Sequence, residues 1–389
     1  MQLEHWSAVA LILGLGACAS DDSSSATGSG GTASGGATGG TGAIGGGGAT
    51  GGASSGGGAS GSGGGAGTGG GGGAGGGGAG TGGAGTGGAG GNGGIGPAGP
   101  FSPSGPITLT SGQTVSGLHI TASSGPCIQG SGVSNVRITN SKIGPCGPGA
   151  EGVGVRLYQS HDVRIDHDAF DDVSTALYAL DDTTGSIVFD HNRVTKLRGP
   201  MPRGQMVQFD KIQGPGHRIL CNISDSTVPG YQAGPEDHIN MYKSSGTAQS
   251  RIEIAYNRLR GGGPSTSGSG IMTGDSGSTQ IYIHHNTMVE TANVGFAIAG
   301  GSQITFEQNR AYSPKNPYSN VGAYVWAQGG VTCQDNAMIG NRTNWINKDG
   351  TPNHFWDGKN CQNTTMTGNV WGDSTLGAAI FDEAYAQCQ

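Results

Sequence analysis

The side chains best suited to chemistry crowd into two short stretches. One reads Gly234-Pro235-Glu236-Asp237-His238-Ile239-Asn240-Met241-Tyr242-Lys243, the other Gln208-Phe209-Asp210-Lys211. Two lysines brought side by side disfavour each other's charge, and a lysine with a lowered pKa is a candidate general base. With a cation to neutralise a neighbouring carboxylate, such a base removes the proton α to a uronate carboxylate and starts a β-elimination. On this reading Lys243 is the base, and Lys211, Asp210, Asp237, His238 and Tyr242 complete the catalytic set. The cation is Lys211, Arg203 or a Ca2+ held by Asp210, Glu236 and Asp237. The carboxylates permit a second chemistry: Asp181, Asp210, Asp237 and Asp275 offer acid–base pairs for glycoside hydrolysis. The bland alternative is an idle surface ladder, Asp181–Lys211–Lys243–Asp275, held by alternating charge.

A repeat brings these stretches together. Gln280–Met288 reads Gln-Ile-Tyr-Ile-His-His-Asn-Thr-Met, and the phrase returns at Val136–Ile143, Val163–Phe170, Ile187–Val194, Ile252–Leu259, Ile304–Ala311 and Val331–Met338. Weaker copies lie at His217–Ser224 and Thr364–Trp371. The turn column is Ser141, Asp168, Asn192, Asn222, Asn257, Asn286, Asn309, Asn336 and Asn369. Period-2 apolar alternation inside a recurring unit of this size is the pattern of a stacked solenoid, in which each coil buries its face against neighbours. Insertions fall between the phrases, so one corner is fixed and another accepts loops. Amides stacked at about 4.8 Å, the strand spacing, can bond their neighbours above and below, which makes the Asn column structural.

These Asn-rich copies, from Ile107 to Trp371, resemble the right-handed parallel β-helix proteins of the pectate-lyase-like superfamily. The resemblance implies an all-β solenoid of about nine coils, and polysaccharide lyase chemistry in a groove formed by one strand of each coil and its flanking loops. The pectin-hydrolase signatures Asn-Thr-Asp, Gly-His-Gly and Arg-Ile-Lys are absent; Asp181-Asp182 alone is similar to an element of that set.

The strand that follows the variable loop carries two outward columns. The first reads Arg156, Tyr178, Gln208, Asn240, Met272, Ala297; the second reads Tyr158, Leu180, Asp210, Tyr242, Gly274, Ala299. At the turn beyond stand Asp181, Lys211, Lys243, Asp275 and Gly300. The longest loops, Arg198–Gly204, Asp225–Asp237 and Arg260–Ser269, lead into the coils richest in charge. Long loops on a rigid scaffold are where sites concentrate. Arg203, Gln208, Asn240, Asp181, Asp275, Tyr178 and Arg156 are therefore the expected substrate contacts. Phase places Tyr324 and Trp326 inward and Trp356 outward, where it could stack on a sugar. His167, His191 and His285 precede the Asn turn in three coils and read as turn residues.

The rest of the chain bounds location and partners. Residues 1–18 resemble a lipoprotein signal: Ala8–Gly16 is too short an apolar run to span a bilayer, and Leu15-Gly16-Ala17-Cys18 resembles a lipobox. That implies acylation of Cys18 and anchoring at the outer membrane or cell surface. Residues 19–104 are Gly, Ala, Ser and Thr almost throughout, a composition that cannot bury apolar surface and should stay a disordered tether. Its r.m.s. span is roughly 50 Å. Between Asp22 and Arg137 there is no charged residue, so the folded part holds all 19 basic and 23 of the 26 acidic residues. A net charge of −4 with no basic stripe argues against nucleic acid. Six cysteines besides Cys18 suggest disulfides in an exported protein, with Cys127–Cys146 the first choice and Cys361 with Cys388 or Cys333 next. Residues 105–371 form the solenoid and 372–389 its C-terminal cap. The expectation is a tethered, monomeric, exported protein acting on polysaccharide, a lyase first and a glycosidase second, or else a non-catalytic module for glycan binding or adhesion.

Overall fold

The structure, a computed structural model, describes residues 94–181, 185–227 and 234–389. Cys18, the tether up to residue 93 and Asp182 lie outside the described residues. Thirty-two short strands form three parallel sheets of eleven, ten and eleven strands, here called A, B and C, wound as a right-handed parallel β-helix. One coil shows the order: Ile187–Asp190 in sheet C, a corner at Asn192, Arg193–Leu197 in sheet A, the long loop, then Val207–Asp210 in sheet B. The first strand, Ser102–Ser104, already pairs with Leu118–Ile120, so the solenoid starts ahead of residue 105.

Alternation dictates the packing. Val207, Phe209, Ile239, Met241, Ile252 and Ile254 are fully buried and form one core running the length of the stack. Each such side chain contributes roughly 1.5–3 kcal/mol when removed from water.

The corner between sheets C and A is built from two residues. The first adopts a left-handed conformation: His167, His191, Cys221, Tyr256, His285 and Gln308 all have φ between 53° and 59°. This explains the turn histidines, since His is among the residues that tolerate that region. The second residue is the ladder. Asn192 receives its partner through backbone N–H to Asn222 Oδ1 (2.9 Å), and its Nδ2 donates to Ile165 O (3.0 Å). The pattern repeats through Asn222, Asn257, Asn286 and Asn309. Above Asn309 the rung is Asn341, followed by Asn369, and not the expected Asn336. Asn336 instead caps Ile304 N with its Oδ1 (3.0 Å). The apolar alternation in that coil is thin, with Met338 alone buried in Ala337–Ile339, so pattern alignment slipped by five residues.

Three disulfides close the fold: Cys127–Cys146, Cys333–Cys361 and Cys221–Cys388. Residues 372–389, the expected cap, run back along the outer side of sheet A. Leu376, Ile380 and Phe381 pack on Ile223 and Val289, Arg260 lies 4.0 Å from the Phe381 ring, and the Tyr385 hydroxyl bonds Thr287 Oγ1 at 2.6 Å.

One rung brings a charge into the ladder. Asp168 sits where the rungs from Asn192 onward carry an amide; its Oδ1 accepts from Ser141 N (2.7 Å), while its buried Oδ2 has no partner. Burial pushes its carboxyl well above the usual 3.8. Folding therefore takes up a proton at this site. The stability it contributes is present at low pH and is lost as pH rises through the raised folded pKa. Asp168→Asn supplies the missing donor at every pH. We expect it to raise stability by about 1–3 kcal/mol near neutrality. Melting followed against pH should show the gain shrink toward about pH 4, and a variant no more stable than the parent at neutrality would refute the argument.

Candidate functional site

The outer side of sheet B presents its polar residues because the inner side is spent on Val207, Phe209, Ile239 and Met241. Register sets the columns. Gln208 stands beside Asn240, Asn240 beside Met272, Met272 beside Ala297, Ala297 beside Tyr324, and Tyr324 beside Trp356. Tyr324 thus belongs to the outward column and not to the core, because the strand begins at Val321 and places Ala323 and Val325 inward.

A second departure moves Asp275. Gly274 takes φ +77° and acts as an extra residue; a Cβ there would collide with Gly300's carbonyl oxygen. Lys243 N then bonds Asp275 O, as Lys211 N bonds Tyr242 O and Asp181 N bonds Asp210 O. Asp275 therefore enters the Asp210–Tyr242 column instead of the turn beyond it. A glycine bulge of this kind re-aims a side chain.

The result is a carboxylate cluster organised by one amide. Asp237 Oδ1 accepts from Ser269 N (2.8 Å) and Ser269 Oγ (2.6 Å), and its Oδ2 accepts from Asn240 Nδ2 (2.7 Å). Asn240 is also near enough to Asp275 to favour its ionised form, and the Asn240 Oδ1 accepts from Gln208 Nε2 at 3.2 Å. Asp237 is 6% exposed. Burial, then the neighbouring Glu236 carboxylate, push its pKa up to about 7, against the pull of Ser269 and Asn240. Burial likewise raises Asp275 and Asp210. One coil below, the Tyr178 hydroxyl donates to Asp210 Oδ2 (3.1 Å), and Arg203 lies 3.7 Å over the Tyr178 ring. Gln208 Oε1, Asp210 Oδ1 and Arg203 Nε are buried polar atoms with no partner in the protein. Unsatisfied groups of this kind are rare and ask for a ligand or solvent.

Several expected roles do not survive the geometry. His238 does not face the groove. It is fully buried between sheets A and B, with Nδ1 2.9 Å from Ser224 Oγ and Nε2 2.7 Å from Gly261 O. Lys211 pairs with Asp181 at 3.6 Å, so it meets a carboxylate as well as Lys243. Lys243 is exposed, its Nζ 5.0 Å from the Tyr242 ring centre. The proposed Ca2+ cage does not assemble: among the described residues no three His, Cys, Asp or Glu, and so not Asp210, Glu236 and Asp237, stand close enough to hold an ion. Glu236 instead bonds the Ser267 hydroxyl. Arg156 lies in the groove column but is tied to Glu151 at 2.7 Å. Ser269 and Tyr324 were not foreseen; the Asp237↔Ser269 register supplies the first.

A long parallel β-helix with a polar groove on one sheet defines the class. Residues 108–376 match the family described as "Periplasmic copper-binding protein (NosD)", and the chain belongs to that family. No curated protein matches it. Solved structures similar to it include the catalytic domain of a GH87 alpha-1,3-glucanase in complex with nigerose (13% identity, TM-score 0.43) and a variant of such a domain with tetrasaccharides (12%, TM-score 0.44). Each covers 68% of this chain, and the chain spans 56% and 57% of theirs.

The family description implies copper, and the donor set here does not fit it. Copper takes thiolates, thioethers or clustered imidazoles. The six described cysteines are all in disulfides, and among the described residues no three His, Cys, Asp or Glu stand close enough to hold an ion. Where histidines do meet they meet in twos: His167 stacked on His191, and His284 against His285.

His238 yields a stability test. Burial lowers its pKa to about 4 from 6.5. The unfolded chain therefore binds a proton below about pH 6.5 that the folded chain refuses, and stability falls as pH drops from there toward about 4. The loss from this residue is on the order of 3 kcal/mol. Denaturant titrations should show that dependence flattened in His238→Leu, below a lower baseline; an unchanged acid slope would contradict the assignment.

Proposed function

We propose that the protein is an extracytoplasmic glycoside hydrolase, with Asp237 as general acid and Asp275 as its partner carboxylate. The observation that carries this reading is a pair of carboxyls on neighbouring coils that feel each other's charge: Asp237, buried and titrating near neutrality, and the half-buried Asp275. Two carboxyls with separated roles are what glycoside hydrolysis requires. Asp237 then gives its proton to the glycosidic oxygen as the C–O bond breaks, and Asp275 attacks the anomeric carbon to form a glycosyl ester. Water, deprotonated by Asp237, hydrolyses that ester and returns both groups to their starting state. The Lys243 ammonium favours ionised Asp275. Gln208, Tyr178 and Arg203 are the expected sugar contacts, through the unpartnered atoms of Gln208 and Arg203.

The lyase reading is the weaker one. It needs a cation at a uronate carboxylate, whereas a uronate at Asp237 would meet Glu236 and Asp275. An uncharged sugar fits better. Three disulfides and a family described as periplasmic support export. The lipobox-like Leu15–Cys18 and the Gly-rich segment after it support a lipid anchor with a tether.

The test is reducing-end release from a panel of neutral polysaccharides, with product configuration read by NMR. Asp237→Asn should lower kcat by about 10²–10⁴-fold while leaving binding largely intact. Activity should fall above about pH 7, as Asp237 loses the proton it must donate. The product should retain its anomeric configuration. Binding without hydrolysis in the parent would leave a surface module for glycans; ultraviolet-absorbing unsaturated ends would return the lyase.

A further inference from the structure

The outer side of sheet B changes character beyond Asp275. Met272, Val294, Ala297, Ala299, Val321 and Tyr324 form a separate apolar cluster on the outside of the helix, with Trp326 packed on it. No part of the central core touches this duty: the inward residues of the same strands are Ile271, Phe296, Ala323 and Val325. An apolar floor on the solvent side of a sheet needs a cover. Here part of the cover is aromatic, Trp356 meeting Trp326 at 5.6 Å and 64° and Tyr324 at 6.2 Å. Trp356 is 38% exposed, one of few large apolar side chains left in water. The neighbouring charge is already spent, Asp357 being paired with Lys359 at 2.8 Å. The floor continues the column of Gln208 and Asn240 without a break, four strand steps or about 19 Å from Asn240 to Trp356. Tyr324 joins the two halves: it stands in the floor, with its hydroxyl 3.5 Å from Met272 Sδ, and feels the charge of both Asp237 and Asp275.

Resting on the hydrolase reading for the direction of the glycan, we propose that Trp356, walled by Trp326, is a stacking site for the apolar C–H face of an uncharged pyranose ring several residues along the chain from the bond cleaved. Sugar rings are polar at their edges and apolar on their faces, and a half-exposed indole offers a flat apolar partner with little side-chain freedom to lose. The substrate is then a neutral glycan long enough to span the groove, at least a tetrasaccharide. Short oligosaccharides would be processed without touching the platform.

The experiment uses the full chain and neutral gluco-oligosaccharides, α- and β-linked, from disaccharide to hexasaccharide. Binding is measured by calorimetry in an Asp237→Asn background to suppress turnover, and cleavage in the parent. Trp356→Ala should weaken the hexasaccharide about tenfold, or about 1.4 kcal/mol, and leave the disaccharide unchanged. Trp356→Tyr should restore most of the affinity, whereas Trp356→Leu, apolar but not planar, should not. An unchanged hexasaccharide affinity in Trp356→Ala, with cleavage intact in the parent, would overturn the platform and leave the hydrolase standing. Trp356-dependent binding with no cleavage of any glycan would do the reverse. Absence of binding by the parent across the panel would overturn both.

Discussion

A hydrogen bond from one side-chain amide to the next, repeated up the stack to Asn369, sets the geometry on which the rest depends. Each rung fixes the distance and rotation between consecutive coils at one corner. That lets the corner hold a left-handed residue per coil, a conformation that costs a side-chain-bearing residue about 1–2 kcal/mol when nothing compensates. With that corner fixed, register propagates into all three sheets, and the opposite corner between sheets A and B is free to vary in length. The loops that cover the groove, Arg198–Gly204 and Arg260–Ser269 among them, all enter there. The scaffold's rigidity and the site's variability are therefore assigned to different corners of the same coil.

The groove owes its electrostatics to this arrangement. Stacked strands force side chains of one column within about 5 Å of each other, so carboxylates placed on nearby coils cannot ignore one another. Asp237 is buried, feels the charge of both Glu236 and Asp275, and is held by the Asn240 amide. A single bulge at Gly274 decides whether Asp275 is a turn residue or a groove residue. The aromatic half of the sheet lies along the same column, so polarity changes along the axis while backbone geometry stays constant.

Much of the architecture was legible in the sequence, because alternation and a recurring Asn are one-dimensional signals of a one-dimensional stack. The phrase around Asn286 needs only its own residues to announce a coil, and Cys127–Cys146 is close enough in sequence to be read as a local bridge. What escaped reading depends on a partner elsewhere. Asn341 could be told from Asn336 only by knowing which carbonyl it reaches, Phe306 O, 35 residues away. His238 looks like a groove residue among Asp237 and Asn240, and it turns inward because Ser224 and Gly261 offer it two partners there. Tyr324 changed faces when its strand proved to begin at Val321. Asp275 moved because an inserted glycine shifts phase by one, and a period-2 pattern has no means of marking the insertion in advance.

The returning C-terminal segment gives the stack a closed topology. Solenoids ordinarily come apart from their ends, coil by coil, since each coil touches only its neighbours. Here the chain leaves the last coil at Trp371, crosses the sheet A strands at Arg342, Arg310, Arg258 and Thr287, and is sealed to Cys221 through Cys388. The upper coils are thereby enclosed in a covalent ring, the bridged cysteines being 167 residues apart. A loop of that length removes about 5 kcal/mol of chain entropy from the unfolded state on a simple polymer estimate. The last coil cannot peel away alone. Unwinding from that end must release the strap from several coils at once, which converts a stack of nearly independent layers into a unit that opens together or not at all.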